Sequence, residues 1–147
     1  MTNINELAGL LSQELNKYGN SELEYSRNLF SGKLSEKATI SGSISGLSYK
    51  VLMFDASNES GIPSVSAHFS INVNGIGFSE KQMAFWNADN RFTKLYQQDE
   101  DEAFLVLDSF LPSSDEGHLH QSIARVWSMA VCELRKLKSS CERRGIF

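Results

Sequence analysis

Residues Ala84–Tyr96, with the sequence AFWNADNRFTKLY, form the stretch that decides the order of the elements around it. Ser79 and Gln82 match a capping box, which predicts a helix over residues 80–88. Beyond the Trp-Asn pair near the end of this helix, residues 94–98 and 102–109 are typical of two strands joined by an acidic turn. The stretch therefore connects a short helix to a β-hairpin.

A long amphipathic helix is predicted after the hairpin. Pro112, Ser113, Ser114 and Glu116 match another capping box, and apolar residues then recur at spacings of three and four as far as Arg144. A helix of about 27 residues spans about 40 Å. Because this exceeds the width expected of so small a domain, we expect part of its apolar face to be covered by something other than the chain's own sheet.

The chain before Ala84 is predicted to begin with a helix and to continue as strands. Asn3 and Glu6 indicate the start of a helix over residues 4–18. Residues 20–37 are ambiguous. Residues 23–25 could form a short strand, and residues 30–37 are typical of a loop because Ser, Gly and Lys dominate them. The predicted strands cover residues 39–43, 47–54 and 65–74.

Two details of these strands bear on the sheet. Ser45 and Gly46 indicate a tight hairpin turn between the first two strands. In the second strand the alternation of apolar and polar residues is lost at Leu52 and Phe54, which predicts burial of that end on both faces.

The element order αβββαββα favours an α+β fold with an antiparallel sheet of about five strands and helices packed on it. The length of 147 residues predicts a single domain over residues 1–147.

Composition excludes several classes of protein. The net charge of −4 argues against a nucleic-acid binder and against docking on an anionic membrane, since both need a basic surface. Apolar runs stay well below the ~20 residues of a membrane span. The first residues lack the basic region of a signal peptide. Cys132 and Cys141 are too far apart on one helix for a disulfide, which suits a reducing compartment. We therefore expect a cytoplasmic protein.

The sequence offers no recognisable catalytic or metal constellation. Residues 99–102 lack the ligand spacing of a calcium loop and are typical of a solvated turn. His118 and His120 point in different directions on a helix, so they are not expected to share a metal ion. Cys141 has Arg143 and Arg144 nearby, which would lower its pKa, but no base is placed to activate it. We expect no metal, no cofactor and no enzymatic activity.

The joint between helix and hairpin has two interpretations. Trp86, Asn87, Arg91 and Phe92 are residues of the kinds that anchor protein interfaces, so they are candidates for a partner-binding patch. They are also the residues that a helix-to-strand joint needs. In that interpretation Trp86 packs under the sheet, Asn87 or Asn90 caps the helix, and Arg91 pairs with an acidic neighbour such as Asp89.

Trp127 and Leu134 are candidate contact residues on the apolar face of the last helix. Its predicted length leaves room for a client protein or for a second copy of the chain. A two-fold pairing of equivalent helices would bury this face on both subunits, so we expect a homodimer.

The Trp-Asn pair, the Arg-Phe pair, Tyr96, the strand AFLVLDSFLP and a closing helix with Trp127 resemble the YbjN family, described as bacterial sensory transduction regulators. The resemblance covers about residues 78–135. It implies a fold like that of the type III secretion chaperones. It also implies a non-enzymatic module that binds another protein, as a chaperone or regulatory adaptor.

The acidic charge also allows an alternative. An inhibitor or immunity protein could use an acidic surface to cover the basic site of a toxin or enzyme. Acidic residues clustered on one surface would favour this function, and evenly spread charge would argue against it.

Overall fold

The elements of the chain follow from a computed structural model that describes residues 3–57, 61, 63–112 and 118–147, apart from the side chain of Phe30. In chain order they are α1 (Ile4–Asn16), β1 (Asn20–Phe30), β2 (Lys33–Ile44), β3 (Leu47–Asp55), β4 (Ser64–Asn72), α2 (Glu80–Asp89), β5 (Lys94–Asp99), β6 (Glu102–Pro112) and α3 (Leu119–Arg143). The predicted α+β class with an antiparallel sheet is confirmed.

The sheet has six strands in the order β1-β2-β3-β4-β6-β5, and every neighbouring pair is antiparallel. The prediction of about five strands falls one short because β1 and the start of β2 occupy the ambiguous residues 20–37. Ser31 and Gly32 connect them with positive φ angles of 52° and 76°. Ser45 and Gly46 have the same conformation, at 54° and 79°, and form the predicted turn. Two central residues with positive φ give the type I′ turn that suits the twist of a two-residue hairpin.

The described helices pack on one face of the sheet and enclose the core with it. Trp127 of α3 lies at its centre, with its ring 5.2 Å from that of Phe69 on β4 and 6.1 Å from that of Tyr49 on β3. The strands supply this core from alternate positions, and α1 packs against both β1–β3 and α3. With one layer of helices on one layer of sheet, the second face of the sheet is covered by none of the helices described above.

The helix starts are confirmed at two of three places. The side chain of Asn3 accepts a hydrogen bond from the N–H of Glu6, and Ser79 and Gln82 form the full capping box of α2. The start of α3 was predicted too early, because Pro112 is still the last residue of β6 and the helix begins at Leu119. The predicted cap at Ser113, Ser114 and Glu116 lies outside the described residues.

The expectation that something other than the sheet covers part of the apolar face of α3 agrees with the structure, in which α1 and α2 of the same chain supply that cover. The helix has 25 residues, so it is about 37 Å long. Its apolar face is buried from Ile123 to Cys141. The sheet alone does not provide this cover, since α1 and α2 also pack against α3.

Candidate functional site: the helix-free face of the sheet

The predicted joint residues Trp86 and Asn87 serve the fold. Trp86 is only 3% exposed and belongs to the core. The side-chain amide of Asn87 donates to the C=O of Leu95 and accepts from its N–H, both at 2.7 Å. Asn87 therefore holds the backbone of the edge strand β5 against α2, and this agrees with the joint interpretation.

Other side chains in the joint satisfy the last carbonyl groups of α2. Asn90 donates to the C=O of Trp86 at 3.0 Å through its side chain and at 2.9 Å through its backbone. The ammonium of Lys94 donates to the carbonyl oxygens of Asn87 and Asn90. The expected ion pair between Arg91 and Asp89 does not form among the described residues.

Phe92 is exposed beside α3. Its side chain is 65% exposed, and Met129 across the cleft is 56% exposed. With Arg91 and Val126 they line a cleft of about 210 Å³. Of the four joint residues predicted as a contact patch, only Arg91 and Phe92 therefore present their side chains to solvent.

The two candidate contact residues on α3 lie in the core, so they are not exposed to a partner in the single chain. Trp127 and Leu134 are both 0% exposed. A side chain that its own chain encloses presents no surface to a partner. The pattern of apolar residues on α3 identified a buried face correctly, but it did not reveal how much of that face the chain itself covers.

The helix-free face of the sheet carries a group of exposed apolar side chains. Four of them are well exposed: Leu52 at 45%, Phe54 at 42%, Tyr96 at 41% and Phe110 at 51%. Phe104 and Val106 on β6 are partly exposed on the same face. We call these six side chains the open-face patch. The predicted burial of Leu52 and Phe54 on both faces is wrong, because no described helix covers this side.

The register of the strands shapes this patch. On β4, Ser66 lies between Phe54 of β3 and Phe110 of β6. Ser70, the next residue on this face after His68, lies beside Val106. The small serines of β4 thus separate larger side chains on its two neighbours, which stand about 10 Å apart. We call this line of residues along β4, with small side chains at Ser66 and Ser70 and His68 between them, the trough.

A hydrogen-bonded pair of histidine and aspartate lies within the trough. The Nδ1 atom of His68 on β4 is 2.5 Å from the Oδ1 atom of Asp108 on β6, and Leu52 flanks the histidine on the other side. The histidine side chain is 33% exposed and the aspartate 71%. The trough therefore offers a polar anchor between apolar walls.

At one end of the patch Tyr96 and Phe104 stack. Their ring centroids are 5.9 Å apart and the rings are inclined by 31°. They belong to β5 and β6, and their backbones are paired. Sequence reasoning included Tyr96 only as part of the family resemblance. The signal for the patch was present, since apolar residues occupy both phases of β3 and β6, but it indicated an extra buried face equally well.

The buried titratable groups lie away from this face. Burial raises the pKa of the Tyr49 hydroxyl to about 12. Burial also raises the pKa of the Cys141 thiol, and the positive charge of Arg144 offsets this only in part. The predicted lowering by nearby arginines is therefore outweighed, because desolvation disfavours the thiolate.

The described residues contain no group of three His, Cys, Asp or Glu side chains arranged to hold a metal ion. Within the same residues, none of the helices combines the length and apolar character that a bilayer crossing requires. No protein-family model, curated protein or solved structure matches the chain. Membership of the YbjN family, with its secretion-chaperone fold, accordingly stays a prediction.

Proposed function

We propose that the chain is a non-enzymatic protein-binding module that holds a segment of a partner protein on the helix-free face of its sheet. The observation that carries the proposal is the open-face patch itself. Large exposed apolar patches with polar rims are typical of interaction sites in soluble proteins. A chaperone or a regulatory adaptor would use such a surface, in agreement with the resemblance to the YbjN family.

The arrangement of the patch favours an apolar segment as the ligand. Aromatic side chains such as Tyr96, Phe104 and Phe110 bury large areas at interfaces at a low cost in side-chain entropy. The hydroxyl groups of Ser66 and Ser70 lie along β4, between the side chains of β3 and those of β6, and offer hydrogen bonds to a backbone. The pair of His68 and Asp108 would fix the orientation of the bound segment.

The test compares partner capture by the wild-type chain with capture by a variant of the open face. A tagged chain is expressed in its native host, and the proteins that copurify are identified by mass spectrometry. The combined replacements Leu52→Ser and Phe110→Ser remove two exposed apolar walls and leave the core intact. We expect one stoichiometric partner with the wild-type chain and at least a tenfold loss of it with the double variant.

The matched control changes exposed apolar side chains elsewhere. Phe92→Ser and Met129→Ser alter the cleft beside α3, which is exposed to a similar or greater degree. This variant should retain the partner. If the open-face variant retains the partner and the cleft variant loses it, the binding surface is the cleft and the proposal fails.

The acidic turn between β5 and β6 favours the alternative function, an inhibitor or immunity protein. Residues 119–147 contain six basic and two acidic residues. The chain before them contains 16 acidic residues and eight basic ones. Four of these acidic residues are consecutive in the β5–β6 turn, where the side chain of Asn74 holds the backbone of Asp101 and Ala103. An anchored acidic turn is suited to a basic partner site.

Changing that turn tests the alternative. Asp99→Asn, Glu100→Gln and Glu102→Gln together remove three charges. If the captured partner is a toxin or enzyme with a basic site, this variant should bind it more slowly and with a weaker dependence on salt. Unchanged association at low salt would contradict the inhibitor function and leave the open face as the binding surface.

A further inference from the structure

The two outer strands of the sheet differ in how well their edges are protected. Strand β5 has six residues, and its pairing with β6 is interrupted between Gln97 and Asp99. Strand β1 has 11 residues in uninterrupted register with β2, and it contains no proline. Natural sheets protect long edges because unpaired backbone groups there recruit other strands. The long regular edge of β1 lacks a bulge, a proline and a covering strand in the described part of the chain.

The register identifies which backbone groups lie on that edge. Phe30 and Lys33 close a two-residue hairpin, so Phe30 and every second residue before it bond to β2. The alternate residues direct their N–H and C=O groups outward. These outward residues are Ser21, Leu23, Tyr25, Arg27 and Leu29. The N–H of Ser21 is already bonded to the side chain of Asn16 at 3.2 Å, which leaves Leu23 to Leu29 as the available edge.

We propose that this edge pairs with β1 of a second copy of the chain, antiparallel and about a two-fold axis at Ser26. In this register Leu23 lies opposite Leu29 of the second copy, and Tyr25 lies opposite Arg27 of the second copy. All four available residues then form hydrogen-bonded pairs. The two six-stranded sheets join into one continuous sheet.

Neighbouring registers are each opposed by a specific conflict. An axis at Tyr25 places Leu29 opposite Ser21, whose N–H already has a partner. An axis at Glu24 would place the two copies of Glu24 directly opposite each other, and an axis at Arg27 would do the same for the two copies of Arg27. Like charges directly opposite on paired strands are destabilising. The axis at Ser26 avoids all three conflicts, since it places Glu24 opposite Asn28.

The pairing also covers apolar side chains that the single chain leaves exposed. Leu29 is 75% exposed and Leu34, its neighbour on β2, is 45% exposed. Leu23 pairs with the buried Ile40 in its own chain. With Leu29 opposite Leu23 of the second copy, these four positions become one apolar row across both subunits. The exposed tip of the β1–β2 hairpin thereby continues the core layer of its partner.

Ser26 provides a further observation at the axis itself. Its hydroxyl is buried and has no hydrogen-bond partner among the described residues. Its backbone bonds to β2, so the two copies of Ser26 would form a non-hydrogen-bonded pair with Cα atoms about 4.5 Å apart. Ser26 as a whole is only partly buried in the single chain, so rotation of its side chain brings the two hydroxyl groups within reach of each other as donor and acceptor.

Cysteine cross-linking tests both the contact and its register. The test uses a Cys132→Ser background, which removes the exposed native thiol. In this background Ser26→Cys should form a disulfide-linked dimer on exposure to air, because its two copies would lie within the Cα–Cα distance range of disulfides. Glu24→Cys is the matched control on the same face of the same strand. Its two copies would be about 13 Å apart, so it should stay monomeric on a non-reducing gel. Equal cross-linking of both variants, or none with Ser26→Cys, would overturn the proposed register.

Light scattering on the otherwise unchanged chain tests the dimer independently of cysteine chemistry. Proline at Arg27 removes an outward N–H and leaves the bonds to β2 intact, so Arg27→Pro should be monomeric where wild type is dimeric. Arg27→Ala should remain dimeric. If the wild-type chain stays monomeric when its concentration is raised about 100-fold over the starting sample, the proposal is overturned. Neither result bears on the open-face patch, whose partner capture is measured separately.

Discussion

Asn87 on α2 takes the place of a neighbouring strand for Leu95 on β5, with one hydrogen bond to its C=O and one from its N–H, each 2.7 Å long. Leu95 is in turn buried, at 2% exposure. The Trp-Asn pair thus joins helix and hairpin through a side chain that imitates backbone pairing. Its clear role in the fold explains why the joint could be recognised in the sequence and why it is a poor indicator of a binding surface.

Replacing Asn87 should destabilise the fold. In Asn87→Ala both backbone groups of Leu95 lose a partner in a half-buried environment, so we expect the free energy of unfolding to fall by about 1–3 kcal/mol. Urea denaturation followed by circular dichroism measures this change. Asn5→Ala, on the exposed side of α1, is the control and should stay within about 0.5 kcal/mol of wild type. A comparable loss in both variants would show that the two bonds to Leu95 contribute nothing specific.

Leu134 should behave as a core residue. Leu134→Ala leaves a cavity beneath α3, so we expect the free energy of unfolding to fall by about 2–5 kcal/mol. The mass in solution of the folded fraction should not change. Met129→Ala on the exposed side of the same helix serves as the control, with an effect within about 0.5 kcal/mol. A stable Leu134→Ala chain with altered mass would return α3 to the candidate interfaces.

Stability at high pH should depend on Tyr49. Burial raises the pKa of its hydroxyl from 10.0 to about 12, so the folded state favours the neutral phenol. A raised folded pKa contributes stability that is fully present below the unfolded pKa and is lost as the pH rises through the folded value. We therefore expect the free energy of unfolding to decline between about pH 10 and pH 12, by about 1.4 kcal/mol for each unit of separation.

Tyr49→Phe isolates this effect from the other groups that titrate at high pH. The hydroxyl of Tyr49 has no hydrogen-bond partner among the described residues, so its removal should cost little at pH 7. The difference in unfolding free energy between wild type and variant should grow in favour of the variant above pH 10. Parallel curves for the two proteins across this range would contradict the role of Tyr49.

Two glycines should respond to alanine in opposite directions. A Cβ atom at Gly42 would overlap the backbone oxygen of Asn20 and the Tyr49 hydroxyl, whereas a Cβ at Gly9 meets nothing within 4 Å. Gly42→Ala should lower the free energy of unfolding by about 1–3 kcal/mol. Gly9→Ala, within α1, should raise it by about 0.5–1 kcal/mol. Thermal melts of the two variants measured side by side decide this, and a shift in the same direction for both would contradict the close packing of β1 and β3 around Gly42.

The fold could be predicted where a local signal was strong. The capping box of Ser79 and Gln82, the alternation along β4 and the turn at Ser45 and Gly46 all describe the structure correctly. Strand β1 could be recognised only as a possible short strand at residues 23–25, because Glu, Ser and Asn dilute its apolar residues. The Ser31-Gly32 dipeptide at its end is nevertheless the same turn signal as Ser45-Gly46.

The candidate site could not be predicted from pattern alone. Burial of one helix face and exposure of one sheet face give similar runs of apolar residues. Leu134 and Phe110 therefore look alike in the sequence, although one is fully buried and the other is half exposed. What separates them is the arrangement of helices, since α1, α2 and α3 all pack on one side of the sheet. That arrangement depends on contacts between distant residues, which a local pattern does not contain.

Site-specific photo-cross-linking in the native host tests the proposed binding surface most directly. A photoreactive phenylalanine analogue at position 110 lies in the open-face patch, and the same analogue at Met129 lies on the exposed side of α3. We expect irradiation to attach one defined protein through position 110 and not through position 129. An adduct from position 129 alone, or no adduct from either position while the chain copurifies with a partner, would contradict binding on the helix-free face.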